Sequence, residues 1–170
     1  MEQLIQILKN IPEYTSVLEC IGKNRSAAIT GIGQINRSHL IAGFVRHTGR
    51  PVVIACQDDM AAKRLQSELQ SFLGQDVPVL PSRELTLYDS AVVSRAWEQK
   101  RLRQFFDLTQ GTARIQIMSY EALSMRTMPP QVLKEAAFTL EVGREYVLEE
   151  LLQHLTQAGY SRCGMVEGPG

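Results

Sequence analysis

The chain has little of what would commit it to chemistry or to an oxidising compartment. Its three cysteines, Cys20, Cys56 and Cys163, are odd in number and far apart. That pattern excludes a disulfide framework and a zinc knuckle, and it fits a reducing cytoplasm. Charge of one sign is also missing. Lys+Arg and Asp+Glu both number 18, so no net field draws the chain to nucleic acid or to an anionic membrane. No apolar run approaches the ~20 residues that span a bilayer. The opening Met-Glu-Gln-Leu-Ile-Gln has no basic stretch followed by an apolar one, so a secretory signal is not expected. His39, His47 and His154 have no Cys, Asp or Glu partner at ligand spacing, which excludes a sequence-legible metal site. No Gly-x-Ser-x-Gly elbow or Cys/His signature offers a nucleophile. Asp58 and Asp59 are adjacent carboxylates, but at a helix start such residues cap and favour the dipole.

What is present is an alternation of strands and helices. The apolar share of 44% and the charged share of 21% are ordinary for a globular protein, and 170 residues suffice for one core or for one domain and part of another. Residues 2–23 read as two helical pieces separated by Pro12, with Gly22 and Asn24 marking the end. Ser26 to Thr30 reads as a short buried strand and Ser38 to His47 as a helix. Val52-Val53-Ile54-Ala55-Cys56 is a continuous apolar run of the kind covered on both faces of a parallel sheet. Asp58 can cap a helix carrying Leu65, Leu69, Phe72 and Leu73, which Gly74 stops. A strand at Val77 to Leu80 follows, then an irregular polar connection over 81–90. A long helix over 91–108 comes next, with Val93, Trp97, Phe105 and Leu108 on one face. Ala113 to Met118 is a further strand, and Tyr120 to Met125 a short helix ended by Pro129-Pro130. The fold class is therefore α/β, a parallel sheet flanked by helices and joined by right-handed crossovers.

The organisation changes near Ala136. Phe138 to Val142 alternates as a half-exposed strand does, Gly143 turns the chain, and a helix over 147–158 should bury Leu148, Leu151, Leu152 and Leu155 before Gly159 stops it. A strand–helix unit this small cannot bury its apolar face alone, so the chain is expected to enter a small α+β domain without completing it. A strand near 161–167 would keep an unpaired edge, which predicts fraying or pairing with another copy there.

The stretch richest in information is Thr30-Gly31-Ile32-Gly33-Gln34-Ile35-Asn36-Arg37-Ser38. It lies between a strand and a helix, where a phosphate-binding loop G-x-x-x-x-G-K-[ST] belongs. Such a loop needs glycines so that backbone N–H groups can cradle phosphates, a lysine for the β/γ-phosphates and a hydroxyl for Mg²⁺. Gly31 and Ser38 keep the ends of the pattern, but Asn36 stands for the second glycine and Arg37 for the lysine. Asn36 puts a Cβ where the backbone must approach closely, and arginine is bulkier and planar. Gly31, Gly33, Asn36, Arg37 and Ser38 thus read as a vestigial loop, with no acidic strand terminus of the Walker-B kind to complement it.

Three further features carry weaker signals. Arg95, Lys100, Arg101 and Arg103 give the 91–108 helix a basic side that could meet nucleic acid, although Glu98 offsets it and solvated helix faces are usually charged. Tyr88-Asp89 is either a remnant of a ligand-facing loop or a packed ring beside a helix cap. Arg162 is either a partner contact or an ordinary exposed arginine.

Taken in order, these residues resemble the N-terminal module of bacterial transcription-repair coupling factors (Mfd), a module itself similar to the damage-recognition protein UvrB. The carrying features are the loop at Thr30-Gly31, the strand Pro51-Val52-Val53-Ile54 with Asp58 after it, and Leu85-Thr86-Leu87-Tyr88-Asp89-Ser90. They continue with Ile117-Met118-Ser119-Tyr120-Glu121-Ala122-Leu123, Pro129-Pro130, Leu140-Glu141-Val142-Gly143 and Ala158-Gly159-Tyr160-Ser161-Arg162. The resemblance covers roughly residues 24–170. It implies an N-terminal helical segment over 1–25, a degenerate P-loop α/β domain over 26–136 related to a helicase motor, and an incomplete UvrA-binding-like domain over 137–170. It implies no catalytic residue, no metal and no cofactor in this segment; ATP and Mg²⁺ serve the distant motor domains of the full-length family members, whose partners also include RNA polymerase and double-stranded DNA. Most of the UvrA-facing surface is expected beyond Gly170, and no membrane partner is implied.

The leading reading is a non-catalytic interaction module that helps recruit UvrA in nucleotide excision repair and restrains the DNA translocase. Two alternatives belong to other classes. One is a divergent P-loop ATPase using Arg37 and Ser38; the other is a nucleic-acid-binding α/β domain.

Overall fold

The structure, a computed structural model, describes residues 1–82 and 95–165, and of Ile35, Arg95 and Ala96 the backbone only. The chain divides into two compact units, Met1–Glu84 with Ala113–Met125, and Leu85–Thr112 with Arg126–Gly170. The first is the α/β unit. Its elements are α1 (Glu2–Ile7), a 3-10 turn (Leu8–Asn10), α2 (Pro12–Gly22), α3 (Gln34–Thr48), β1 (Val52–Cys56), α4 (Asp59–Leu73), β2 (Val79–Leu80), β3 (Ile115–Ser119) and α6 (Tyr120–Ser124). The second contains α5 (Arg95–Thr109), α7 (Pro130–Ala136) and α8 (Leu148–Gln157). Among the described residues no helix is long and apolar enough to cross a membrane.

The sheet is parallel, with strand order β1-β3-β2. β3 is central: Val52 faces Ile115 and Cys56 faces Ser119 on one side, while Val79 faces Ile117 and Leu80 faces Met118 on the other. All five residues of β3 are buried, as expected of a strand with a neighbour on each edge. Residues at alternate positions share a face. Ile115 and Ile117 of β3 join Ala42, Ala62, Leu69, Leu73, Val77 and Ile5 in one core cluster, with Ile54 and Cys56 of β1 packed against it. That face of the sheet thus lies under α3 and α4. On the other face Gln116 and Met118 are buried, but Val53 is 60% exposed and Ala55 is exposed. β1 is therefore covered on one face only, which corrects the expectation of a strand covered on both. Its apolar run has the same cause in either case, since β-branched residues suit any pleated strand.

Local signals explain most boundaries. Pro12 opens α2 at its first position, where its missing N–H costs nothing. Asp58 sits in extended conformation and its Oδ1 accepts from the Ala61 backbone N–H at 2.7 Å, satisfying one of the orphan donors at the start of α4. Gly74 closes that helix at φ 65°, a left-handed cap that suits glycine. Ser119 does for α6 what Asp58 does for α4, accepting from Ala122 at 3.1 Å.

Two expected strands are absent, and a third does not form among the described residues. Residues 25–30 form no ladder, and 26–30 are exposed rather than buried. Ser-Ala-Ala-Ile-Thr brings one large apolar side chain, Ile29, and the burial it offers is small against the entropy of fixing five residues. Phe138 to Val142 forms no strand either; Leu140 is 53% exposed, and the alternating pattern finds no partner strand among the described residues. Ser161 to Met165 is irregular and exposed, and residues 166–170 lie outside the described ones. The helix expected at 38–47 starts earlier, at Gln34, because Gly33 adopts the extended conformation of an N-cap. A helix at 130–136 was not expected; Pro130 opens it at its first turn. α8 forms as expected, but it buries nothing fully. Leu151 and Leu155 are half-buried, whereas Leu148 is 62% and Leu152 38% exposed.

The N-terminal segment lies against α3 at a glycine. A Cβ on Gly43 would fall 2.5 Å from Leu8 Cδ1 and 2.7 Å from Tyr14 Oη. The Tyr14 ring cannot easily yield, being stacked on Phe44 at 5.3 Å between centroids and only 3% exposed. Gly43→Ala should therefore destabilise the unit by up to about 2 kcal/mol in urea unfolding: overpacking costs ~1–3 kcal/mol, and the better helix propensity of alanine returns ~1. Asp58→Ala should cost about 1 kcal/mol by the same measurement through the lost cap. A Gly43→Ala variant more stable than the parent, by the ~1 kcal/mol of helix propensity alone, would mean that Leu8 and Tyr14 do not close on α3 as described.

Candidate functional site

Gly31 turns the chain at φ 77°, Gly33 caps α3, and Asn36 already donates its N–H to the Gly33 carbonyl at 3.0 Å. Asn36, Arg37 and Ser38 thus lie in the first turns of the helix rather than in the loop before it. Consecutive helical positions point about 100° apart, and the consequence is visible in burial. Asn36 and Arg37 are exposed, while Ser38 is 2% exposed and packed inward. A cradle for a nucleotide needs the basic side chain and the hydroxyl to converge on one concavity with the loop N–H groups. Here Arg37 and Ser38 diverge, and no strand at 26–30 sets the loop against the sheet.

Arg101 stands apart from the other basic residues of α5. The guanidinium of Arg101 lies 5.8 Å from the Trp97 ring centroid and 5.0 Å from that of Phe105, one helical turn to either side, and the residue is 6% exposed. Burial pushes its pKa down from the usual arginine range. Arg101 is therefore part of the helix packing through cation–π contacts. Lys100 is exposed, and Arg103 is paired with Asp107 at 3.2 Å. The side chain of Arg95 and the Tyr88-Asp89 pair lie outside the described residues. Arg162 is exposed in the irregular segment after α8.

The histidines are dispersed. His39 Nε2 lies 2.8 Å from the Leu4 carbonyl and its ring stacks on Phe72, while His154 sits beside Phe138 with centroids 5.8 Å apart. Among the described residues no three His, Cys, Asp or Glu come together as a metal site. The Cys56 thiol is pushed up by burial and further by Asp58, the opposite of what a reactive thiolate needs. Asp58 caps, as its position at a helix start implied, and Asp59 accepts a hydrogen bond from the Ser82 hydroxyl. Two features escaped the sequence reading: Ser82 on Asp59, and Tyr14 on His47 with 2.8 Å between Oη and Nδ1. The second pair is 33 residues apart, and no local pattern marks it. What the described residues assemble is a packed α/β unit with polar groups spent on caps and on packing.

Comparison with known proteins locates the chain. It is 24% identical over its full length to the transcription-repair-coupling factor of Bacillus subtilis, of which it spans 15%. It is 27% identical to that of Myxococcus xanthus over 92% of the chain, spanning 14% of that relative. The UvrABC system protein B of Thermosipho africanus is 24% identical over 81% of the chain, which covers 23% of that protein. No protein-family model matches the chain, and no solved structure does. The chain is homologous along its whole length to the N-terminal, UvrB-like region of transcription-repair-coupling factors.

Proposed function

We propose that the chain acts as the non-catalytic, UvrB-like interaction module of a transcription-repair-coupling factor, in the bacterial cytoplasm, and that its role is to recruit UvrA during nucleotide excision repair and to restrain the translocase of the longer protein. The observation that carries this reading is homology to two kinds of repair protein at once. A region common to a coupling factor and to UvrABC system protein B serves what those two proteins have in common, and their common need is a route to UvrA. The placement of Ser38 and Arg37 supports the same reading from the other side. With the hydroxyl packed inward and the guanidinium turned out, the Gly31–Ser38 loop is a structural turn and not a nucleotide site.

The second unit is the part proposed to face UvrA. It carries Val147, 56% exposed, and Leu148, 62% exposed, at the start of α8, with exposed Arg162 following that helix. RNA polymerase and DNA are contacted by other parts of the longer protein in this reading, and ATP with Mg²⁺ is used there and not here.

Binding of the chain to immobilised UvrA tests the reading. Saturable binding is expected, weakened about tenfold, or ~1.4 kcal/mol, by Arg162→Glu. No binding, or binding indifferent to Arg162→Glu and to Leu148→Lys alike, would count against it. Calorimetric titration with Mg-ATP should give no heat and no rise in melting temperature. Saturable nucleotide binding abolished by Arg37→Ala would make the divergent ATPase the better reading.

A further inference from the structure

We infer that the N-terminal helical segment, residues 1–24, is fastened to α3 by a proton-sensitive latch between Tyr14 and His47, and that protonating the His47 imidazole loosens the segment while the sheet stays folded.

The latch is built from buried parts. Ile5 is 0%, Leu8 6% and Tyr14 3% exposed, so the segment enters the core of the α/β unit and does not trail in solvent. Tyr14 lies over the gap left by Gly43, stacks on Phe44 and meets the His47 ring edge-on at 5.8 Å. Its hydroxyl and His47 Nδ1 are 2.8 Å apart. The other ring nitrogen, Nε2, is buried and has no hydrogen-bond partner. A neutral ring uses one nitrogen as donor and one as acceptor. When the phenol donates to Nδ1 the hydrogen bond is complete, and the cost is one unpaired Nε2–H. A protonated ring has two N–H donors. Nδ1 can then no longer accept from the phenol, and a charged Nε2–H is left inside without an acceptor, the arrangement that burial penalises most.

The surrounding charges do not relieve this. From the 3-10 turn Lys9 opposes a second positive charge, and from α1 Glu2 favours it. Glu2 is partly engaged elsewhere, with Arg46 of α3 at 3.9 Å, and the Arg46 guanidinium in turn donates to the Leu73 carbonyl at the end of α4, 2.7 Å away. From α2 the facing group is the Tyr14 phenol, which burial pushes up to about 12, so it remains a neutral hydroxyl. The C-terminal end of α3 favours a cation in its last turn, where His47 lies. Burial, with Lys9, lowers the ring's pKa from its ordinary value. The sign follows. Above the ordinary histidine value of about 6.5 the ring is neutral whether docked or free, and the latch has its full strength. Below it the released ring takes up a proton more readily than the docked one, so docking weakens as pH falls. His39, at the other end of the same helix, serves as an internal control. Its Nε2–H donates to the Leu4 carbonyl, a bond that an imidazolium keeps.

Hydrogen exchange of the full chain, corrected for intrinsic rates and followed between pH 7.5 and 5.5, tests the latch. Protection of residues 12–22 should fall toward acid, at most about tenfold for each unit by which docking depresses the His47 pKa, while protection of β3 stays constant. The imidazole signal of His47 should titrate below 6.5. His47→Gln should abolish the pH response, and His39→Gln should keep it. Tyr14→Phe, which removes the phenol and leaves the ring buried, should lower protection of 12–22 already at pH 7.5. The latch is refuted if His47 titrates at or above 6.5, if wild-type protection of 12–22 does not change with pH, or if His47→Gln responds as the wild type does.

Discussion

The burial of β3 is the constraint on which the α/β unit depends. Ile117 is fully enclosed, and its strand supplies the ladder for β1 on one edge and for β2 on the other. Parallel strands cannot be joined by a tight turn, so each pairing obliges the chain to cross over the sheet, and α3 and α4 are held where their apolar stripes meet Ile115 and Ile117. Burying an isoleucine of this kind stabilises by roughly 1.5–3 kcal/mol, which is a sizeable part of the few kcal/mol by which a domain is stable. The N-terminal helices join the same core through Ile5 and the gap at Gly43. Disturbing β3 would thus be felt at both ends of the α/β unit, whereas disturbing Tyr14 should be felt mainly in residues 1–24.

Polar groups in this unit are consumed by structure. Asp58 and Ser119 cap helices, Ser82 holds Asp59, and the histidines of α3 bind the N-terminal segment. Cys56 is pushed up, and in the second unit Arg101 lies between aromatic rings. Some apolar side chains nevertheless stay exposed, notably Val53 on the open face of β1 here and Leu148 on α8 in the second unit.

The alternation of elements was legible because its signals are local. Pro12, Asp58, Gly74 and the period of Leu65, Leu69, Phe72 and Leu73 each act within a few residues, and the structure puts α2 and α4 where those residues imply. The strand expected at 113–118 is likewise found, two residues later at its start and one at its end, as Ile115–Ser119. What was not legible depends on neighbours. Ser-Ala-Ala-Ile-Thr and Phe-Thr-Leu-Glu-Val are strand-like in composition, but a strand exists only where a second one accepts its hydrogen bonds, and neither finds it among the described residues. Arg101 was not legible for a related reason: spacing placed it among the cations of α5, while the Trp97 and Phe105 rings decide that it is buried. The Tyr14–His47 pair joins residues too distant for any spacing rule. The Gly31–Ser38 stretch was the most telling case. Its departures from a phosphate loop were readable, but the inward turn of Ser38 was not, because that follows from where α3 begins.

Amide hydrogen exchange across residues 25–38 and 115–119 of the whole chain, at neutral pH, measures the central claim directly. Residues 26–33 should exchange at nearly free-peptide rates while β3 is among the most protected segments, since the loop ahead of α3 is a turn outside the sheet. Protection of 26–30 comparable to that of 115–119 would mean that these residues form a buried sheet strand in front of a built phosphate loop, and would contradict the account.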